Sequence, residues 1–250
     1  MKRGNWQGML AIVRFNWPFY LVAVLAFFGA VAGMCFSRDP WVKALCGTMA
    51  TGSEYFLLVS LGVSHLIYDR SDLYRWHWLE RALGSEKCGR IVFCHAGFDE
   101  ASDALRGRLA GADWRILDHF DPATMTEASV RRARKLYPPT QGTEAAPFSE
   151  WPVGEGWADV VFGILAIHEI RSVGERAQWF AEAKRCLADA GRIVVVEHLR
   201  DAANFLAFGP GFLHFHSVKN WERSWEAEGL RLMDSFGITP FVRIFVIGKA

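Results

Sequence analysis

Histidines and carboxylates recur where the apolar segments of this sequence end. His95 and His119 each follow a short run rich in strand-forming residues. His168 ends a longer apolar run, and Glu197-His198 ends another. Imidazole titrates near neutral pH and carboxylates accept protons, so these residue types are suited to acid–base chemistry. Each alone is more often a structural hydrogen-bonding group, but four equivalent positions favour one shared site.

The segments between these residues alternate between strand and helix patterns. We predict strands at 90–94, 114–117, 158–167 and 192–196, helices at 99–109, 124–137, 173–188 and 218–228, and a closing strand pair at 230–236 and 241–247. A loop at 138–156 has room for one more short strand. Continuous apolar strands separated by helices are typical of a parallel sheet that is covered on both faces. The sequence therefore predicts a doubly wound α/β domain with a mostly parallel, seven-stranded type of sheet and a C-terminal antiparallel hairpin.

Ligands in such folds bind beyond the carboxyl ends of the strands. The four histidine positions would therefore meet at one edge of the sheet. That edge is the predicted site.

The start of the chain is more apolar than the rest and predicts a transmembrane helical hairpin. No charged residue lies between Arg14 and Arg38, which is enough chain for a helix to cross a bilayer core of roughly 30 Å. The next apolar stretch contains a single charge, Glu54. We predict transmembrane helices at 17–36 and 44–67. A signal peptide is the weaker interpretation of the first stretch, because the second would still hold the chain in the membrane.

Basic residues flank the predicted hairpin on its two outer sides. They are Lys2, Arg3 and Arg14 before it and Arg70, Arg75 and Arg81 after it. This bias places both ends on the cytoplasmic side of the inner membrane. The predicted organisation is a hairpin at 1–70, an interfacial or linker helix at 71–89, and the α/β domain at 90–250. The linker segment would lie either along the bilayer surface or against the soluble domain.

Charge and cysteine content exclude some classes of function. The net charge is +1, which argues against a nucleic-acid partner. The five cysteines contain no CxxC pair, so neither a zinc knuckle nor a disulfide framework is indicated. The spacing of His214 and His216 fixes no third ligand, and no metal is expected. The expected partners are the bilayer and a small molecule, and the oligomeric state stays open.

Two segments of the α/β domain carry a family resemblance. Asp159-Val160-Val161 opens an apolar run that ends at His168, and Gly191 precedes the run that ends at Glu197-His198. This order resembles the fourth strand, helix and fifth strand of class I S-adenosylmethionine (SAM)-dependent methyltransferases. The similarity is greatest to the type 11 group that includes ubiquinone and menaquinone C-methyltransferases. The resemblance implies SAM as the cofactor and methyl transfer as the reaction.

The loop after the first strand departs from the pattern of that family. The family has glycines at alternate positions, whereas residues 94–102 read CHAGFDEAS and keep one glycine. The loop is a divergent SAM loop whose acids meet the positively charged ligand, a site for another ligand, or a plain helix start whose acids face the helix dipole. We favour the first interpretation. The implied cofactor-binding residues are His95, Gly97, Asp99 and Glu100 in this loop, Asp118 or Asp121 at the ribose, and Glu144 near the adenine.

The remaining candidates concern the methyl acceptor. His168 is the first choice for orienting or deprotonating it, followed by Glu197 and His198. Residues 201–216 are too aromatic for a solvated loop. They form either a pocket wall that faces the membrane or an amphipathic helix packed on the sheet. The predicted substrate-binding residues in this segment are Phe208, Phe212, His214, Phe215 and His216.

The predicted function is membrane-anchored, SAM-dependent methylation of a quinone, an isoprenoid or another lipid. The alternative is a membrane protein that keeps the methyltransferase fold without methyl transfer, in a cofactor-binding or scaffolding role. A further alternative is a different group transfer on a quinone-like lipid.

Overall fold

The computed structural model describes residues 4–84 and 88–250 as a helical hairpin joined to a seven-stranded α/β domain. The strands are β1 (Arg90–His95), β2 (Asp113–Asp118), β3 (Thr143–Ala145), β4 (Ala158–Ile164), β5 (Leu187–His198), β6 (Leu230–Thr239) and β7 (Val242–Lys249). The helices are α1 (Gln7–Phe36), α2 (Pro40–His65), α3 (Trp78–Leu83), α4 (Ser102–Arg108), α5 (Ala128–Leu136), α6 (Val173–Cys186), α7 (Ala202–Phe208) and α8 (Val218–Glu226).

The sheet has the strand order β3-β2-β1-β4-β5-β7-β6. β1 to β5 pair in parallel, and β7 pairs antiparallel with both β5 and β6. The order reverses between β1 and β4, which is the point where such sheets open a crevice for ligands. In the register of β1 and β2, His95 lies opposite Asp118. The predicted fold class is confirmed, including the short strand inside the 138–156 loop.

Both faces of the sheet are covered by buried apolar side chains, as a parallel sheet requires. The segment before β1 covers part of one face. Leu73, Trp76 and Leu79 in this segment are buried and belong to the same cluster as Ile91 and Phe162 of the sheet. The linker was predicted to lie along the bilayer surface or against the soluble domain. The structure shows these three side chains packed against the soluble domain. Residues 85–87 of this segment lie outside the described residues.

Several elements differ from their predicted bounds for local reasons. The helix predicted from Asp99 begins at Ser102, because the Asp99 carboxylate accepts the first backbone N–H groups of that helix. The strand predicted to reach residue 167 ends at Ile164, and a 3-10 turn over Ile167–Glu169 follows. The helix predicted over 124–137 starts at Ala128.

The 201–216 segment, predicted as a pocket wall or an amphipathic helix, is largely helical in the structure. It contains α7, whose first turn is capped by the Asp201 side chain, and a 3-10 helix over Gly209–His214.

The hairpin helices α1 and α2 are each long and apolar enough to cross a membrane by length and composition. Only 11% of the residues in each apolar window are buried, whereas a core helix would be mostly buried. Large side chains such as Phe19, Leu25 and Leu58 are more than 60% exposed. Exposed apolar surfaces of this size mark sites that contact a membrane or another protein.

Both helices of the hairpin contact the α/β domain at the carboxyl edge of the sheet. Phe15 packs on Phe98 of the β1–α4 loop and on Tyr137, with ring centroids 5.1 and 6.0 Å away. Arg132 donates a hydrogen bond to the Phe15 carbonyl. At the other side, Tyr55 of α2 donates to the Leu206 carbonyl in α7 at 2.8 Å. The hairpin therefore borders the predicted site from two sides.

Candidate functional site

The most connected polar residue of the site is Glu197, at the end of β5. Its side chain is fully buried. One carboxylate oxygen accepts the backbone N–H groups of Ala166, Ile167 and His168 at 2.9–3.2 Å. The other accepts the Nδ1 proton of His168 at 2.6 Å. The 3-10 turn after β4 exposes these three N–H groups in one direction, so Glu197 fixes both the turn and the imidazole.

The outer ring nitrogen of His168 faces a second carboxylate. His168 Nε2 lies 3.5 Å from Glu169 Oε1, and His214 Nε2 lies 3.1 Å from the same oxygen. Burial alone would lower the pKa of His168, but Glu197 and Glu169 outweigh it and raise the pKa to about 10. Burial would raise the pKa of Glu169, but His168 and His214 hold it well below its usual range. At neutral pH His168 is therefore an imidazolium between two carboxylates.

His198 and His216 are held by other partners. His198 Nδ1 donates to the Phe241 carbonyl at 2.9 Å, and the Tyr68 hydroxyl bonds to Nε2 at 2.8 Å. Burial lowers the pKa of His198 to about 4. Arg176 donates to His216 Nε2 at 2.9 Å, and burial together with this guanidinium lowers the pKa of His216 to about 3. Both imidazoles are neutral. Both nitrogens of His198 and Nε2 of His216 are engaged in structural hydrogen bonds.

The aromatic residues of the 201–216 segment divide into two groups. Phe215 stacks on His198 at 4.8 Å and meets His168 edge-on at 5.9 Å, and Phe208 lies 5.7 Å from His198. These two rings form a wall over the β4 and β5 ends. Phe212 contacts Phe205 at 5.1 Å on the outer side instead. The predicted pocket wall thus has an inner pair, and Phe212 is not in it.

At the ends of β1 and β2 the central residue is Asp118. Its carboxylate is buried and accepts the backbone N–H groups of Gly97 and Phe120 at 2.9 and 3.1 Å. Its second oxygen is paired with the Arg134 guanidinium from α5. Gly97 has φ +88°, and a Cβ there would lie 2.7 Å from the Phe120 ring. Glycine is required at this position, because both the backbone angle and the ring exclude a side chain.

Two buried histidines beside Asp118 have ring nitrogens without hydrogen-bond partners among the described residues. The unpartnered atoms are both ring nitrogens of His95 and Nε2 of His119. His95 Nδ1 approaches Asp118 Oδ1 no closer than 3.5 Å. Burial lowers the pKa of both residues, that of His119 to about 4. Buried polar atoms without partners carry a free-energy cost, and a ligand that hydrogen-bonds them would remove it.

The other predicted cofactor residues have local partners. Asp99 caps α4 through the backbone N–H groups of Ala101 and Ser102. Glu100 follows it in the same turn. Asp121 accepts from Ala123 and Thr124 in the loop after β2, and Glu144 on β3 pairs with Arg115 at 3.0 Å.

Solved structures that resemble this architecture include several methyltransferases. A SAM-dependent methyltransferase from Aquifex aeolicus superposes with a TM-score of 0.53 at 13% identity, over 71% of this chain and 89% of that one. The mitomycin 7-O-methyltransferase MmcR gives 0.54 at 17% identity, over 99% of this chain and 74% of that one. A geranyl diphosphate methyltransferase, solved with GPP and sinefungin, gives 0.51 at 14% identity, over 80% and 84%. The chain has the class I methyltransferase fold.

The same fold also occurs in a solved protein described as a different enzyme. The [4+2]-cyclase SpnF superposes with a TM-score of 0.50 at 13% identity, over 72% of this chain and 81% of that one. No protein-family model matches the sequence, and no curated protein matches it. The likeness therefore establishes the fold.

The strand ends fit one part of SAM better than the other. The ribose part fits, because Asp118 ends β2 as a carboxylate acceptor beside the unpartnered nitrogens of His95 and His119. The methionine part would meet the His95 and Asp99 side chains, which stand where the resembling family has glycines. Gly97 alone keeps the close backbone approach that the family's loop provides.

Sequence reasoning missed the residues that act through long-range contacts. They are Tyr68, Arg134 and Arg176, which pair with His198, Asp118 and His216. No periodicity marks such partners, because they lie on other elements. Glu169 was also missed, although its place next to His168 and its type together signal a second carboxylate.

Proposed function

We propose that this protein is a membrane-anchored, SAM-dependent methyltransferase that acts on a lipophilic small molecule at the cytoplasmic face of the inner membrane. The observation that carries the proposal is the hydrogen bond between Tyr68, which follows the hairpin, and His198 at the end of β5. His198 stacks on Phe215, which also meets His168. The base of the hairpin and the candidate acceptor site thus form one structural unit.

The surface beside this unit suits an acceptor that arrives from the bilayer. Phe205, Leu206 and Leu213 are 50–59% exposed and lie in the segment that α2 contacts through Tyr55. Exposed aromatic and aliphatic side chains next to candidate membrane helices favour insertion at the membrane interface. A soluble acceptor would not need this arrangement. The proposed acceptor is a quinone, an isoprenoid or another lipid with a polar group at one end.

When bound, SAM supplies an electrophilic methyl group, and its transfer depends mainly on alignment with the acceptor. Asp118 would accept hydrogen bonds from the ribose hydroxyls after Arg134 releases it, and the backbone at Gly97 would lie along the methionine part. His168, protonated at neutral pH, donates a hydrogen bond from Nε2 and so orients the polar group of the acceptor. Phe208 and Phe215 contact its apolar part.

A second candidate function is favoured by the cofactor half of the site. The Arg134–Asp118 ion pair and the side chains at the glycine positions leave little room for SAM. In this second function the chain keeps the fold and the acceptor site but transfers no methyl group.

Labelled methyl transfer separates the two functions. The full-length protein, reconstituted in vesicles of lipids from its own host, is incubated with SAM that carries a deuterated methyl group. The expected result is one lipid species heavier by the labelled methyl, detected by mass spectrometry. Label confined to water-soluble products would overturn the lipophilic acceptor. No label in any product, with the protein folded, would favour the second function.

The proposed topology has its own test. Reporter fusions at both ends of the chain are expected to be active on the cytoplasmic side. A C-terminus outside the cytoplasm would contradict the proposed orientation.

A further inference from the structure

Three potential metal ligands converge at the acceptor end of the site. His168, Glu169 and His214 offer ligand atoms that all lie within 4.8 Å of one another. Two pairs are closer: His214 Nε2 is 3.1 Å and His168 Nε2 is 3.5 Å from Glu169 Oε1. Ligands bound at about 2.0–2.2 Å around a tetrahedral ion lie roughly 3.4 Å apart. Two of the three separations therefore already suit a shared metal ion.

The partners of His168 prepare it to be a ligand. Metal-bound histidines usually donate their other ring N–H to a carboxylate, which fixes the ring and its tautomer. His168 Nδ1 makes this bond to Glu197 at 2.6 Å. Glu197 is in turn fixed by three backbone N–H groups. Nε2 thus points in a fixed direction toward Glu169, and His168 is only 10% exposed in its side chain.

His214 needs a change of tautomer to join the site. Without metal, its Nδ1 faces Arg171 at 3.2 Å and its Nε2 donates to Glu169. A ligating Nε2 places the proton on Nδ1. Glu127 Oε1 lies 3.6 Å from that nitrogen and would accept a hydrogen bond from it after moving closer by about 0.5 Å. Arg171 keeps its bonds to the carbonyls of His168 and His214 after this change. The buried negative charges of Glu169 and Glu197 offset the repulsion between a bound cation and the Arg171 guanidinium.

We propose that His168, Glu169 and His214 bind one divalent transition-metal ion such as Zn²⁺. Two imidazoles and one carboxylate are a ligand set for Zn²⁺ and for other first-row ions, and they leave at least one position open. The Phe215 ring lies 5.9 Å from the His168 ring and 6.2 Å from the His214 ring, so it would border a molecule bound at the open position. This inference goes beyond methyl transfer, because metal binding needs neither SAM nor an acceptor.

A role for the metal rests on the proposed function. An ion at this position lowers the pKa of a bound hydroxyl group. The acceptor class would then be a phenol, enol or hydroxyquinone whose oxygen coordinates the ion. His168 would serve as a ligand in this state, in place of donating its proton to the acceptor.

Cobalt is the probe for the site, because its visible spectrum reports ligand type and geometry. The full-length protein in detergent is stripped with a chelator, and Co²⁺ and Zn²⁺ are titrated in the absence of SAM. The expected result is one equivalent of tight binding, weaker at lower pH because the ligands bind protons in competition. Glu169→Gln and His214→Ala should each weaken binding at least about 100-fold, the upper range for loss of a supporting partner.

A gain of signal keeps the test decisive if these variants misfold. His214→Cys should retain Co²⁺ and add a thiolate-to-cobalt absorption band in the near ultraviolet, which only direct ligation produces. His77→Ala, at an exposed position in the linker, is the matched control and should bind like wild type. Absence of binding to the folded wild-type protein would overturn the proposal. Wild-type affinity in folded Glu169→Gln and His214→Ala, or no new band in His214→Cys, would also overturn it.

Discussion

Two histidines at the carboxyl edge of the sheet, His168 and His119, are in opposite electrostatic states. At the end of β4, His168 carries a proton between Glu197 and Glu169, and its pKa is raised to about 10. At the end of β2, His119 is buried beside Trp151 with one nitrogen unpartnered, and its pKa is lowered to about 4. Within the described residues the same residue type is thus charged at the end of one strand and neutral at the end of another.

The difference in pKa follows from the charged partners of the carboxylates in each half. Glu197 and Glu169 both face His168, so their charge stabilises its proton. In the other half, the charge of the Asp118 carboxylate is balanced by Arg134. Asp118 therefore stabilises a proton on His95 only weakly, across 3.5 Å. The acceptor half is therefore ready to orient a polar group or a cation. The cofactor half is neutralised and packed, with Phe15 of α1 against its loop.

The largest expected effect is on turnover and belongs to the acceptor half. His168→Ala should lower the rate of labelled methyl transfer by about 10²–10³-fold, the usual loss when one positioned hydrogen-bond donor at the reacting group is removed. SAM affinity should stay unchanged, because the residue lies at the end of β4. Single-turnover rates and calorimetric titration with SAM check the two halves separately. Equal losses of rate and of SAM affinity would erase the distinction between them.

Glu197 should have the largest effect on stability. Glu197→Ala removes the acceptor of three backbone N–H groups and leaves the His168 imidazolium facing only Glu169. Breaking a buried charged pair in this way costs about 3–5 kcal/mol of unfolding free energy. Denaturant unfolding of the α/β domain, followed by tryptophan fluorescence, measures the loss. The exposed Glu144→Ala on β3 is the control, and a loss below about 1 kcal/mol is expected for its surface pair. Equal losses in both variants would contradict the assigned role of Glu197.

His119 and His168 should contribute to the pH dependence of stability with opposite signs. His119 has a folded pKa of about 4, below the value near 6.5 of an unfolded imidazole. Its contribution is complete above about pH 6.5 and is lost as the pH falls toward 4. His168 has a folded pKa of about 10. Its contribution is complete below about pH 6.5 and is lost as the pH rises through 10.

Thermal unfolding across this range separates the two contributions. His119→Asn should flatten the acid side of the profile and leave the alkaline side as in wild type. His168→Gln should do the reverse. An acid side that stays equally steep in His119→Asn would show that another group sets it.

The sequence predicted the sheet and its site edge well, because continuous apolar runs separate strands from helices by length and composition. It also placed His168, Glu197 and His198 at adjacent strand ends, and the structure brings them together. It did not distinguish the charged His168 from the neutral His198. That difference depends on the contact of Glu169 with His168 and on the hydrogen bonds of Tyr68 and the Phe241 carbonyl to His198. The fold determines these contacts.

Asp99, a predicted cofactor residue, has a local role in the structure. It accepts the first backbone N–H groups of α4, because an aspartate three residues before a helical turn lies close to unpaired backbone N–H groups. The 201–216 segment was predicted as a pocket wall or an amphipathic helix, and its short helix is capped by Asp201 and Gly209. Such caps are recognised from sequence only where the helix itself is predicted.

SAM binding by the full-length protein tests the central claim most directly. Calorimetric titration of the protein in nanodiscs with SAM, and with its demethylated product, compares wild type, Asp118→Asn and Asp121→Asn. Asp118 is the proposed ribose acceptor, and its loss should cost on the order of 1–3 kcal/mol, or about tenfold or more in affinity. Asp121 makes local turn contacts, and its variant should bind SAM like wild type. Failure of the folded wild-type protein to bind either ligand, or equal affinity in all three proteins, would contradict a SAM site at the ends of β1 and β2.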